Sequence, residues 1–350
     1  MRLGSPDSYE ALITDRTLRT VVGVARWSGL DYERLLNGTS AGNVTIPAAF
    51  TSSVADTIPW KHGLVFRRNG IEEWGGPIVT ARRAEGSEDV VLSARDRLHW
   101  MTKRFLVESL EFKSAELAVM AAALIADGTA RDNPFRLTAD EIIPCFASQA
   151  RSLKGNSGVE IFSALQDLSR SGLDFTMFRD RLIGGRMSGR GTVAATLFAN
   201  SFMSTVGIEL DGGPQSNSEM VAGSGSGGSG GFSVSGAYEA WTTEFGLLQS
   251  FSSDSNLTRP QDCVTAASHA WDRFHDTPVV VSCPPLRPDA PITTDLLTAG
   301  IVIRLSLNDP VFPSADGDYR LESVKFSATI DAKTAVLSES ITPSLVRITG

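Results

Sequence analysis

Between Gly63 and Arg97 turn-forming residues recur every five to ten residues, and this stretch leaves little freedom about the fold. Asn69-Gly70 is the dipeptide preferred by a two-residue hairpin, because a type I′ turn needs positive φ at both central positions. Before it, Leu64 and Phe66 alternate with Val65 and Arg67, the period of a strand with one buried face. Gly75-Gly76-Pro77 is expected to turn the chain again ahead of Ile78-Val79, and Glu85-Gly86-Ser87 a third time ahead of Val90–Leu92. The pattern predicts a meander that forms the wall of a β-barrel, and nothing in it arranges a catalytic group.

Upstream, Leu18–Trp27 and Asn43–Ile46 read as further strands. The period changes near Ser114. Ala115–Ile125 is rich in strong helix formers, with Ser114 as the expected N-cap and Gly128 just past the end. A second helix is expected over Val159–Ser171, where Ile161, Leu165 and Leu168 make one apolar stripe. Ser157 is its candidate cap and Gly172 its left-handed stop. Strands at 173–178, 181–183 and 192–197 follow. A third helix should start at Thr258-Arg-Pro-Gln261, with Pro at its first position and Val264, Ala267, Trp271 and Phe274 on its buried stripe. Strands return at 278–282, 301–307, 319–330 and 335–341. The glycine-serine run Gly223–Gly231 has no side chain able to pack and is expected to be a flexible loop or linker. The class predicted is α+β.

Chemistry is harder to find. Of 350 residues, 42% are hydrophobic and 21% charged, an ordinary core-forming balance. No apolar run reaches the roughly 18–20 residues of a membrane span, and the N-terminus lacks the pattern of a secretory leader. The net charge is −8, and residues 201–350 hold 8 Lys/Arg against 17 Asp/Glu. So acidic a surface repels nucleic acid, and no specific nucleic-acid site is expected. Cys145, Cys263 and Cys283 lack ligand spacing and read as buried free thiols. His62 and His99 lie in the β region beside Trp60 and Trp100. His269 and His275, six residues apart, fall on different faces of a helix and cannot share a metal there. The GxGxxG and GxSxG matches within Gly223–Gly231 lack the strand before and helix after that either motif requires. Arg67-Arg68, Arg82-Arg83 and Lys103-Arg104 alternate with acids such as Glu72-Glu73 and Glu88-Asp89, which favours cross-strand ion pairs over a nucleic-acid stripe. No catalytic residue, cofactor or metal site is assigned.

Taken in order, several segments resemble the tail-hub (minor tail) proteins of long-tailed siphophages, the actinobacteriophages above all. They are NVTIP (Asn43–Pro47), GLVFRR (Gly63–Arg68), WGGPIVTARR (Trp74–Arg83) and LSARDRL (Leu92–Leu98), then IFSALQDLSRSGLDF (Ile161–Phe175), LRPDAPITTDLL (Leu286–Leu297), GIVI (Gly300–Ile303) and YRLESV (Tyr319–Val324). Each motif is weak, and their order carries the likeness. The Gly/Ser run departs from it.

The resemblance implies two tube-protein-like β-barrel domains, at 1–106 and, discontinuously, at 192–240 with 290–350. A mixed α/β domain at 107–191 would separate them, and 241–289 would be a helix-bearing insertion. It further implies a structural virion protein, made in the bacterial host cytoplasm, whose homotrimer adapts a sixfold tail tube to threefold symmetry. The implied partners are the distal tail protein, the tape-measure protein and tail-tip or fibre proteins, with genomic DNA passing through the lumen. Part of the acidic C-terminal half is expected to face that channel. Two rival readings stand beside it: a receptor- or glycan-binding tail-tip module, and a tail-associated hydrolase.

Overall fold

The computed structural model describes residues 8–348 apart from 84–85, 87, 146, 186–191, 214, 224–233, 240–245, 255–256, 275–278 and 332. Most of the Gly/Ser run, the predicted turn residues Glu85 and Ser87, His275 and Trp241 therefore lie outside the described residues.

Seven strands come first: β1 (Tyr9–Asp15), β2 (Val21–Ala25), β3 (Gly29–Leu35), β4 (Ala41–Ile46), β5 (His62–Arg68), β6 (Ile71–Arg83) and β7 (Val90–Arg95). Burial alternates residue by residue along β3 and β4, as expected of strands with one face in a core. The β5–β6 turn has φ of 52° at Asn69 and 76° at Gly70, the type I′ geometry expected from the sequence.

Gly75-Gly76-Pro77 does not end a strand. It is the bend of β6, which pairs with β5 from Ile71 to Pro77 and with β7 from Ile78 to Arg83. The reason is steric. A Cβ on Gly76 would lie 1.7 Å from the carbonyl oxygen of Arg95, so only glycine lets the two backbones approach where the strand changes partner.

The middle of the chain holds β8 (Leu110–Glu116), α1 (Leu117–Thr129), β9 (Glu141–Ile142), β10 (Ser148–Leu153), α2 (Ile161–Arg170), β11 (Asp174–Phe178) and β12 (Arg181–Gly185). Two expected caps move. Ser114 lies in β8, and Glu116 caps α1 instead, its carboxylate accepting from Ala118 N at 2.7 Å and Cys145 N at 2.6 Å. Gly128 sits inside α1, where the missing side chain makes room for Met101 and Ile161. Helix α2 starts after Glu160 with no side-chain cap, rather than after Ser157. Its stop at Gly172, φ +108°, and its buried stripe of Ile161, Leu165 and Leu168 are as expected.

The last part contains β13 (Val193–Phe198), β14 (Gly207–Leu210), β15 (Ser218–Gly223), β16 (Val234–Glu239), β17 (Gln249–Asp254), α3 (Pro260–Phe274), β18 (Val279–Ser282), β19 (Val302–Ser306), β20 (Gly317–Ile330) and β21 (Leu337–Arg347). Helix α3 begins at the predicted proline, though among its described residues the buried positions are Asp262, Cys263 and Ala267, with Val264 and Trp271 half-buried. Strands β15 and β16 stay out of the large sheet. They pair with β17 in a three-stranded sheet, and Val221 from it packs with Leu257, Cys263 and Ala267 around α3.

One sheet of 13 strands links the two ends of the chain, in the order β14-β18-β21-β20-β3-β4-β7-β6-β5-β1-β2 with β13 and β19 branching at β20. The long strand β20 makes the connection. Its first half pairs with β19, its second half with β3, and nearly all of it with β21. The sheet curls. On a flat sheet, four steps of about 4.8 Å would put β5 some 19 Å from β3. Yet the rings of Tyr32 on β3 and Phe66 on β5 are 5.6 Å apart, with Phe326 of β20 stacked on the other side of Tyr32 at 4.8 Å. A single apolar core drawn from both strand sets fills the curl. A second core belongs to the middle segment and receives Leu12 and Val65 from the first strands and Leu18 and Leu98 from the segments beside them.

Candidate functional site: buried arginine staples

Among the described residues the largest fully buried side chains are three arginines, Arg34, Arg68 and Arg151. Each joins parts of the chain distant in sequence.

Arg34 stands on the inward face of β3, in line with Leu30 and Tyr32. Its Nη1 donates to the carbonyl oxygens of Thr294 and Leu297, both at 3.0 Å, and its Nη2 pairs with Glu73 of β6. The rings of Phe178 and Phe326 flank the guanidinium at 4.9 Å each. The second oxygen of Glu73 accepts from Arg179 at 3.3 Å, and Arg179 also pairs with Asp295. The first strands, the middle segment and the C-terminal loop thus share one charge network.

Arg68 of β5 forms a fork on Glu339 of β21, at 2.8 and 3.0 Å, and the Tyr9 hydroxyl donates to the same carboxylate at 2.5 Å. Burial pushes the Tyr9 hydroxyl far above its ordinary pKa, so it remains a donor. Arg151 of β10 reaches Asp254 of β17 at 3.0 Å and Ser171 at 3.0 Å, tying the middle segment to the small sheet. Nearby, Asp262 of α3 accepts from Ala150 N at 3.1 Å.

A fourth tie runs through a side-chain amide. Asn37, with φ of 55°, donates from Nδ2 to Asp174 at 2.9 Å and accepts from Phe175 N at 2.8 Å, fastening the β3–β4 turn to β11.

The residues singled out in the sequence mostly pack. The Nδ1 of His62 accepts from Ile58 N at 3.0 Å, while His99 stacks on Trp60 at 5.7 Å. The ring of His269 lies against Gly172. All three cysteines are free and buried, and burial raises the thiols of Cys145 and Cys283 to about 12. Arg67 stands opposite Glu10 and Glu72 in the strand ladders, the cross-strand arrangement expected of the mixed charges. The staples themselves escaped the sequence reading. Arg34 and Arg68 left a signal, since the alternations Leu30-Tyr32-Arg34 and Leu64-Phe66-Arg68 put each on a buried face.

The arrangement is one of assembly: polar groups bonded to other polar groups across segment boundaries. Among the described residues no set of three His, Cys, Asp or Glu could hold a metal ion, and no helix is long and apolar enough to cross a membrane.

No family model and no curated protein matches the sequence. The fold, an α+β architecture of large antiparallel sheets, is that of phage tail proteins. The tail protein from Neisseria meningitidis superposes with a TM-score of 0.63 at 14% identity, over 98% of each chain. The 43 kDa tail protein of prophage MuSo2 from Shewanella oneidensis gives a TM-score of 0.65 at 12% identity, over 98% of this chain and 99% of that one. The prophage tail protein gp18 from Listeria monocytogenes gives 0.57 at 10% identity, over 96% and 94%. At such identities the likeness is one of fold.

Proposed function

We propose that this chain is a structural, non-enzymatic virion component of a phage tail tip: a hub whose homotrimer closes the tail tube and opens a path for DNA on ejection. The observation that supports it is end-to-end likeness to tail proteins, covering 98% of the chain in two cases. In this reading β1–β7 form one tube-like barrel, within 1–106. Strands β13, β14 and β18–β21 form the second, and 107–191 lies between them. The insertion then runs from β15 to the end of α3, because β15 and β16 pair with β17. Three chains supply six barrels and meet a sixfold tube through threefold symmetry. A distal tail protein docks on one side, while the tape-measure terminus and the tip or fibre proteins dock on the other.

A closed ring needs heterologous contacts, with one patch meeting a different patch on the next copy. Strand β2 is a fitting patch. It ends the strand order of the sheet, and Val21, Val22 and Val24 are 44%, 54% and 58% exposed. The acidic C-terminal part would line the channel and keep DNA from adhering.

Native mass spectrometry of the purified protein tests the assembly. The expected species has three times the 37.4 kDa chain mass, and Val22→Asp with Val24→Asp returns it to the monomer. A protein that stays monomeric at every concentration and is absent from tailed particles would overturn the hub reading. A channel map showing neutral or basic walls would overturn the lining.

A further inference from the structure

A cavity of about 440 Å³ opens on the middle segment, away from the staples. Its walls are the end of the short 3-10 helix Arg97–Lys103 and the residues after it, the C-terminal turn of α1 with Arg131 beyond it, and the loop before α2. In a chain of net charge −8, this wall is basic.

Lys103 and Arg131 are exposed and make no ion pair among the described residues. Arg104 is held in place: its guanidinium lies over the Trp100 ring at 4.7 Å, and its Nη2 donates to the carbonyl oxygen of Asp132 at 3.3 Å. The Asp132 carboxylate, 3.7 Å from Arg104, is shared with Arg16 at 3.3 Å. One carboxylate lines the cavity, that of Asp127, and both its oxygens already accept backbone N–H groups, from Val107 at 3.1 Å and Glu108 at 3.3 Å. It serves the loop, and the cavity lining sets three basic residues, Lys103, Arg104 and Arg131, against this one acid. At the lip stands Phe105, 56% exposed. Gly158, with φ of +82° and nothing within 4 Å of where a Cβ would be, keeps the mouth clear.

We propose that this cleft binds an acidic peptide segment of a partner protein, one that places carboxylates on Lys103, Arg104 and Arg131 and an apolar side chain on Phe105. The volume suits two or three side chains rather than a folded surface. Arg104 is already ordered by Trp100, so little of its freedom is lost on binding. Charge range decides between a peptide and DNA. Screening confines the cleft's field to about 8–10 Å, which a short segment can occupy, whereas a long polyanion would also meet the acidic remainder of the chain. The inference does not rest on the hub reading.

Fluorescence anisotropy with a short labelled peptide of alternating Glu and Leu tests it on the full chain. Saturable binding is expected, weakened by added salt and about tenfold by Lys103→Glu with Arg131→Glu, and reduced also by Phe105→Ser. These side chains are exposed, so melting should not change. If it does, Lys103→Gln with Arg131→Gln carries the comparison. Equal binding of a Lys-Leu peptide, or unchanged binding by both pairs of variants, would overturn the proposal. So would competition by inorganic phosphate or single-stranded DNA at peptide-like concentrations. Loss of self-association in the same variants would assign the cleft to a second copy instead.

Discussion

Arg34 of β3 and Glu73 of β6 pair inside the protein, with side chains 1% and 0% exposed, although two strands separate them in the sheet. The pair meets across the curled interior rather than along the ladder. Removing one member therefore leaves a charge in the core that water cannot reach. Glu73→Ala should destabilise the fold by about 3–5 kcal/mol, read as a lowered denaturant midpoint at unchanged slope. Arg34→Lys should be nearly as damaging, since an ammonium cannot serve Glu73, Thr294 and Leu297 together. A midpoint within error of the wild type for both variants would rule out the staple.

Glycine substitutions separate steric need from turn preference. Gly76→Ala sets a Cβ against the Arg95 carbonyl and should leave little soluble protein. Gly70 is the reverse case, with left-handed backbone, φ +76°, but open space around it, so Gly70→Ala should cost only about 1 kcal/mol. Soluble yield and thermal melting of the two variants give the comparison.

Asp96 and His99 act against each other with pH. Burial raises Asp96 to about 6 while its carboxylate accepts from Ser40 N at 2.6 Å. Burial, with Arg95 and Lys103 adding to it, lowers His99 to about 4. Between about 4 and 6 the native Asp96 holds more proton than the unfolded one, so its contribution to stability grows as pH falls. The native His99 holds less proton than the unfolded one from about 6.5 down to 4, so its contribution shrinks. Relative to the wild type, His99→Gln should gain melting temperature on acidification from pH 6.5 to 4, and Asp96→Asn should lose it. Parallel profiles for all three proteins would refute the assignment.

The thiols give a simple check on packing. Cys145, Cys263 and Cys283 should not react with a thiol-specific disulfide reagent at pH 8 until denaturant is added, because burial disfavours each thiolate. Prompt labelling of the native protein would show that these cores open.

Elements set by neighbours in the chain were legible in advance. Asn69-Gly70 forms its hairpin, Pro260 starts α3, Gly172 stops α2, and β20 ends at Ile330 as expected, although β21 runs on to Arg347, past the expected end at Ile341. The errors fell where a distant segment decides. Gly75-Gly76-Pro77 has turn composition, yet it bends one strand, because Arg95 lies against it. Ser114 lost the cap of α1 to Glu116, which also bonds Cys145 N. Strands β15 and β16 pair as a hairpin like any other, and nothing local says that they leave the large sheet for β17.

By itself the sequence determined the strand-rich ends, the helical middle and the acidic C-terminal part, since propensity, period and charge are properties of adjacent residues. Tertiary structure alone decided that β20 joins both ends in one curled sheet and that Arg34, Arg68 and Arg151 meet their partners inside it. Those contacts link residues from 39 to 271 positions apart for Glu73 and Glu339. Burial becomes favourable for such charges only once the fold has brought a partner to each.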